Sequence, residues 1–258
     1  MPIRYWSWLV FPAIVLGAWQ IGATRVDALL MPSPAATLDA LMQLARAGDL
    51  WRELAVSLRR VCLGALIGLF IGLPFGVLLG SSRAVELTFG AALPAIAATS
   101  SAIWAVFGLL WFGLSDGATV FVVVMTALPL ISVNARDGIK AVDPDLVQLA
   151  RSMGLGPAAV GRKILLPSIL PALFAGTRLG LGFGWRVGLV AEALGSPSGV
   201  GFRLKQSIDL MHTAEVFAWS LAVIAVMIAI ELLIFYPLET WLFRWRKPSI
   251  SQGSAVAT

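Results

Sequence analysis

Ionisable side chains are scarce in this sequence, and those that fall inside apolar stretches are the first candidates for chemistry. Arg178, Arg186 and Glu192 lie in one apolar block, and Glu215, Glu231 and Glu239 lie in the last. A charge at membrane depth costs about 3 kcal/mol or more unless it faces protein or water, so their concentration points to a polar path. Catalysis has less to work with. His212 is the only histidine and Cys62 the only cysteine, and no H-E-x-x-H occurs, so neither metal-assisted hydrolysis nor a paired thiol nucleophile assembles from these residues. The phosphate cradle G-x-x-x-x-G-K-[ST] is also absent, so the chain does not hydrolyse ATP by itself. No catalytic group and no metal ligand set is assigned.

Each path candidate has a plainer alternative. Arg186 lies deep in its block and could meet a solute, or it could pair with Glu231 or Glu192. Arg178 lies closer to the inner end, where its long stem can snorkel to water. Glu192 precedes the glycine-rich stretch Gly195 to Gly201, where it could gate an outer mouth or tie that stretch down through backbone N–H groups. Trp104, with Trp111 after it, reads as packing or as an interface anchor more readily than as part of a solute box.

The second concentration of signal is the polar segment from Arg136 to Pro171. Asp143 followed by Pro144 supplies an N-cap and an N1 proline, Leu146, Leu149, Ala150 and Met153 have helical spacing, and Gly154 is a natural terminator. Gly156 and Pro157 restart a second short helix, Ala158 to Ile164, before Pro167 and Pro171, which are expected to break the chain on re-entry to the membrane. The product is a protruding helical knob. Its small and apolar residues Leu155, Pro157, Ala158 and Val160, flanked by Arg151, Arg162 and Lys163, suit docking into a groove on another protein, although any cytoplasmic loop can fold into short helices without docking.

The elements that must position these residues are membrane helices. Hydrophobic residues make up 59% of the 258 and charged residues 13%, too few charges for a soluble domain to cover that much apolar surface. Uncharged or sparsely charged blocks predict an all-α polytopic protein with six spans at approximately 6–24, 60–82, 92–114, 117–135, 171–194 and 214–243. The cytoplasmic loop would cover 136–170, and a disordered tail 248–258. The block from Tyr5 to Thr24 exceeds the core of a signal peptide and is expected to stay as a membrane helix. Gly64, Gly68, Gly72, Gly76 and Gly80 form a ladder that lets another helix approach the second span closely. Ala35 to Arg60 reads as an amphipathic helix along the outer face. Lys and Arg in the connections favour cytoplasmic N- and C-termini. The net charge of +5 serves anchoring, because the basic residues flank apolar blocks and form no stripe for nucleic acid.

The polar loop also resembles a known pattern. Permeases of binding-protein-dependent ABC importers carry the cytoplasmic signature E-A-A-x-x-x-G, nine residues, then I-x-L-P. The corresponding residues here are Gln148, Leu149, Ala150, Arg151, Ser152, Met153 and Gly154, then nine residues, then Ile164, Leu165, Leu166 and Pro167. The spacing matches throughout, while Gln148 and Leu149 replace the Glu and first Ala, so no role of that carboxylate carries over. From Met31 onward the chain is similar to the nitrate, sulfonate and taurine branch. The similarity lies in Leu30-Met31-Pro32-Ser33-Pro34, Ser57-Leu58-Arg59-Arg60, Leu110-Trp111-Phe112-Gly113-Leu114, Gly176-Thr177-Arg178-Leu179-Gly180-Leu181-Gly182, Ala191-Glu192 and Ser198-Gly199-Val200-Gly201.

What this resemblance implies is a type I importer permease in the bacterial inner membrane. Two copies, most simply a homodimer, would form a pathway, since one copy with six spans is too small for one. Two cytoplasmic ATPase subunits would hold ATP and Mg and grip the residues around Gly154 to Val160 as a coupling helix, and an external solute-binding protein would deliver solute. No cofactor is expected on this chain. Nitrate, a sulfonate, taurine, bicarbonate or a vitamin precursor are all compatible solutes, because the binding protein makes the selection. A passive channel is the rival that composition alone admits, but a channel has no need of a docking loop.

Overall fold

The computed structural model describes residues 3–27 and 29–244. Among them every regular element is a helix. In chain order these are α1 (Ile3–Arg25), α2 (Pro34–Ala47), α3 (Asp49–Ser81), α4 (Arg83–Phe89), α5 (Ala92–Ala98), α6 (Ser101–Phe112), α7 (Asp116–Lys140), α8 (Pro144–Ser152), α9 (Pro157–Val160), α10 (Leu166–Gly195), α11 (Val200–Asp209), α12 (Thr213–Ile230) and α13 (Tyr236–Leu242). Four rods are long and apolar enough to cross a membrane: Asp49–Ser81, Asp116–Lys140, Pro157–Gly195 and Thr213–Leu242. The block expected at 6–24 is helical as part of α1. The tail expected at 248–258 lies outside the described residues.

Helix α7 is the centre of the bundle, with α3 on one side and α10 on the other. Glycines make both approaches possible. A Cβ at Gly64 would come within 2.6 Å of the Val123 side chain, one at Gly76 within 2.3 Å of the Ser132 carbonyl, and one at Gly80 within 2.7 Å of Ile139. Gly176 and Gly184 of α10 press in the same way on Asn134 and Val123. In lipid there is no hydrophobic drive between helices, so close backbone contact and dispersion hold such seams together. Val61, Val123 and Trp185 join the three helices in one buried cluster. A second cluster, Leu50, Val200, Trp219 and Ala222, fixes α11 and α12 against the start of α3.

Several boundaries differ from the sequence reading, each for a local reason. The amphipathic stretch 35–60 is two helices, because Gly48 adopts a left-handed conformation (φ 80°) that ends α2 and lets α3 start at Asp49. Its second half is the leading end of a rod that continues into the membrane. The block 92–114 is not one straight helix, since Arg83–Ala98 and Ser101–Phe112 meet at a 95° bend. There Thr99 and Ser100 are extended, and the Ser100 hydroxyl caps α6 by accepting from the Ala102 amide. The polar loop begins later than 136, because α7 runs to Lys140, whose ammonium pairs with Glu86.

The expected break at Pro167 and Pro171 does not occur. Pro157 to Gly195 is one continuous rod with a single π-helical turn at Gly161–Leu165, closed by the Leu166 amide donating to the Gly161 carbonyl. Proline's ring clashes with the carbonyl four residues back, and a widened turn moves that carbonyl aside. The same device appears at Glu231–Phe235, two residues before Pro237, and keeps Thr213–Leu242 continuous.

Candidate functional site

The residues of the expected coupling loop form a small unit at one end of the bundle. Helix α8 starts where the Asp143 carboxylate accepts from the Asp145 amide, with Pro144 in the first turn. It stops at Gly154 (φ 81°), where the Leu155 amide reaches back to the Ala150 carbonyl at 3.1 Å. That left-handed residue reverses the chain, and Gly156 and Pro157 start α9. Ala150 and Val160 are buried and hold α8 against α9, while Gln148, Leu149, Met153, Gly154, Pro157 and Ala158 are exposed. Leu155 and Ile164 are partly covered, and Leu166 and Pro167 are exposed on the π-turned root of α10. The knob grows directly from the rod Pro157–Gly195, of which α9 is the first turn. Beneath it Gly138, Ala141, Leu146, Ile164 and Pro171 line an open groove of about 570 Å³.

At the opposite end lies a buried polar network that the sequence reading left unassembled. Arg60 is 1% exposed and Glu192 is fully buried, and they pair at 2.8 Å. The Arg60 guanidinium also donates to Asp116 (2.9 Å from Nε), to the Ser198 carbonyl (2.7 Å) and to the Ser198 hydroxyl (2.7 Å). Glu192 accepts from the Ser57 hydroxyl (2.7 Å) and the Gly201 amide (3.0 Å), and Ser57 in turn accepts from the Val200 amide (2.8 Å). Glu53 takes the Gly199 amide at 2.7 Å and the Arg203 side chain at 3.1 Å. Residues 198–201, which lead from the α10–α11 connection into the first turn of α11, are therefore held from α3 by backbone and side-chain bonds together. Gly199 (φ 103°) has the Glu192 carboxylate where a Cβ would stand, 2.4 Å away, so no other residue fits. The available signal was the run Ser57-Leu58-Arg59-Arg60; Arg60 read as a connection residue because nothing in the sequence places α10 beside it.

Among the path candidates, Arg178 is bound to Glu231 and donates to Glu239 at 2.9 Å, all three partly exposed. Glu192 belongs to the buried network and Glu231 to Arg178, so neither is the partner of Arg186. Arg186 is exposed, makes no ion pair among the described residues, and lies over the ring of Phe183 at 5.6 Å. Trp104 contacts Phe107 and Phe121 and lines a cavity of about 240 Å³ inside the α5–α6 elbow.

A helical bundle with a rigid, glycine-terminated helix pair at one end and a loop locked by buried charges at the other has known counterparts. Residues 64–247 match the family described as the binding-protein-dependent transport system inner membrane component, a span that includes α7, the knob and α10. The chain belongs to that family. It is the permease of an ABC importer, of the branch that holds sulfonate, taurine and nitrate permeases. This permease is 30% identical over 240 residues to the putative aliphatic sulfonates transport permease protein SsuC of Bacillus subtilis, covering 92% of this chain and 87% of that one. It is 27% identical over 221 residues to the taurine transport system permease protein TauC of Escherichia coli, covering 83% and 80%. An inward-facing structure of the MetNI methionine ABC transporter shares its fold, with a TM-score of 0.65 at 21% identity over 77% of this chain and 96% of that chain. The permease is thus a multi-pass inner-membrane transport component.

Proposed function

We propose that two copies of this permease form the pathway by which a small anionic solute of the sulfonate, taurine or nitrate kind enters the cell. An external binding protein delivers the solute, and two cytoplasmic ATPase subunits, which hold ATP and Mg, drive the cycle by gripping α8 and α9. Both termini lie on the cytoplasmic side. The observation that carries this reading is mechanical: the segment with signature spacing is an exposed helix pair fused without a hinge to the 39-residue rod Pro157–Gly195. Closure of a partner around α9 would tilt that rod and, through the glycine seam, α7 and α3 with it. The names of the sulfonate and taurine permeases above support the solute class.

The test replaces surface residues of the knob. Ala158→Arg and Pro157→Asp change exposed residues and leave the buried pair Ala150 and Val160 in place. Each variant is expected to insert in the membrane at wild-type level, lose most co-purifying ATPase, and reduce solute uptake by tenfold or more. Unchanged ATPase recovery together with unchanged uptake would sink the proposal.

A further inference from the structure

The exposed face of α10 carries Leu179, Phe183, Arg186, Val190 and Leu194, one continuous stripe at helical spacing. Four are large hydrophobics; the fifth, near the middle, is a permanent cation. Arg186 stands nine residues (195 − 186) inside the end of the rod, about 13 Å at a rise of 1.5 Å per residue. Its guanidinium lies over Phe183, three residues back toward the helix N-terminus, and so points away from the nearer end. It is not snorkelling to that surface.

Every acid that lies deep in the last two spans is already engaged. Glu192 holds Arg60, Ser57 and the Gly201 amide, while Glu231 and Glu239 hold Arg178. A lipid-facing stripe would leave Arg186 with no counter-charge, at a cost membrane helices seldom bear. A second copy of the chain would bring the same engaged acids and a second Arg186. The missing negative charge must therefore come from solution. Beside the guanidinium, Phe183 and Val187 close the cavity of about 240 Å³ that Thr99, Thr126 and Trp104 also line, large enough for a small oxyanion with some of its water.

We propose that Arg186, lying over Phe183 next to the elbow cavity that Phe183 and Val187 line, is an anion subsite that selects small oxyanions along the permease pathway. This rests on the reading that two copies of the chain enclose that pathway. The delocalised guanidinium suits the planar or tetrahedral oxygens of a nitrate or sulfonate, and the Phe183 ring beside it adds a cation–π contact that orients it.

The test is charge-selective thiol labelling of the full chain in membrane vesicles with its ATPase partner, in a Cys62→Ala background. Phe183→Cys and, independently, Val187→Cys are treated with an anionic sulfonatoethyl and a cationic trimethylammonioethyl methanethiosulfonate of similar size. Both reagents should react, the anionic one faster. Adding Arg186→Gln should lower the anionic-to-cationic rate ratio about tenfold, as expected for removing one charge at close range in a partly aqueous site, while Arg186→Lys should keep most of it. Failure of both positions to react, or a ratio that Arg186→Gln leaves unchanged, would overturn the subsite. Either result would leave the coupling-loop experiment intact, so the two proposals fail separately.

Discussion

Arg60 tolerates burial because all five of its N–H donors have acceptors: two on Asp116, one on Glu192, and the carbonyl and hydroxyl of Ser198. Desolvating a guanidinium and a carboxylate costs several kcal/mol each, and their attraction offsets this only when the remaining bonds are also made. Removing one partner leaves the other charged and dry. Arg60→Ala and Glu192→Ala should each destabilise the permease by about 3–5 kcal/mol, and the double variant should cost clearly less than the sum. Thermal unfolding midpoints of the four detergent-purified proteins would check this; additive losses would mean that the two residues act independently. The residue scale is also where the sequence was hardest to read. Arg186 and Arg60 look alike in a linear chain, each an arginine in or beside an apolar block, yet one is sealed and one is open. The difference arises from which side of α3 and α10 each occupies.

At the scale of elements, the interface between α3 and α7 depends on absent side chains. Gly64, Gly68, Gly72, Gly76 and Gly80 recur every four residues, and all but Gly68 would place a Cβ at 3.0 Å or less from α7 atoms. Gly76 is the tightest against backbone, which cannot move aside. Gly76→Val should therefore separate the two helices and strongly reduce the yield of folded permease in membranes. Gly17→Val is the control, since nothing lies within 4 Å of that site. Equal yields from both would mean that the seam does not hold the bundle. The ladder was legible as a four-residue repeat, because helical geometry puts such residues on one face. The partner helix was not, nor were the π turns before Pro167 and Pro237. Proline signals strain in sequence, but whether the helix breaks or widens depends on the packing that holds the rest of the rod in line.

For the whole molecule, the decisive question is which side of the membrane carries the knob. With Cys62→Ala as background, Ala158→Cys should react with a membrane-impermeant maleimide in inside-out vesicles and not in right-side-out ones. Gln206→Cys, on α11 beside the locked 198–201 loop, should show the reverse. The opposite pattern would place the helix pair outside the cell and remove any role in coupling. The two ends of Pro157–Gly195 have different mechanical characters: its start carries an exposed helix pair with few contacts to the rest of the bundle, while its end is tied to α3 and α7 by charge and hydrogen bonds.

Composition and spacing alone determined that this is a helical membrane protein with a polar loop of two short helices, because the bilayer demands long apolar runs and a helix pair needs its caps and its glycine at fixed offsets. Those constraints are local, so they are written along the chain. Only the tertiary structure decided that Glu192 belongs to Arg60 and Glu231 to Arg178, that the elbow at Ser100 opens a cavity, and that Arg186 has no ion pair among the described residues. Ion pairing inside a bundle depends on which helices become neighbours and how each is rotated, and neither quantity has a period that a single strand of letters can carry.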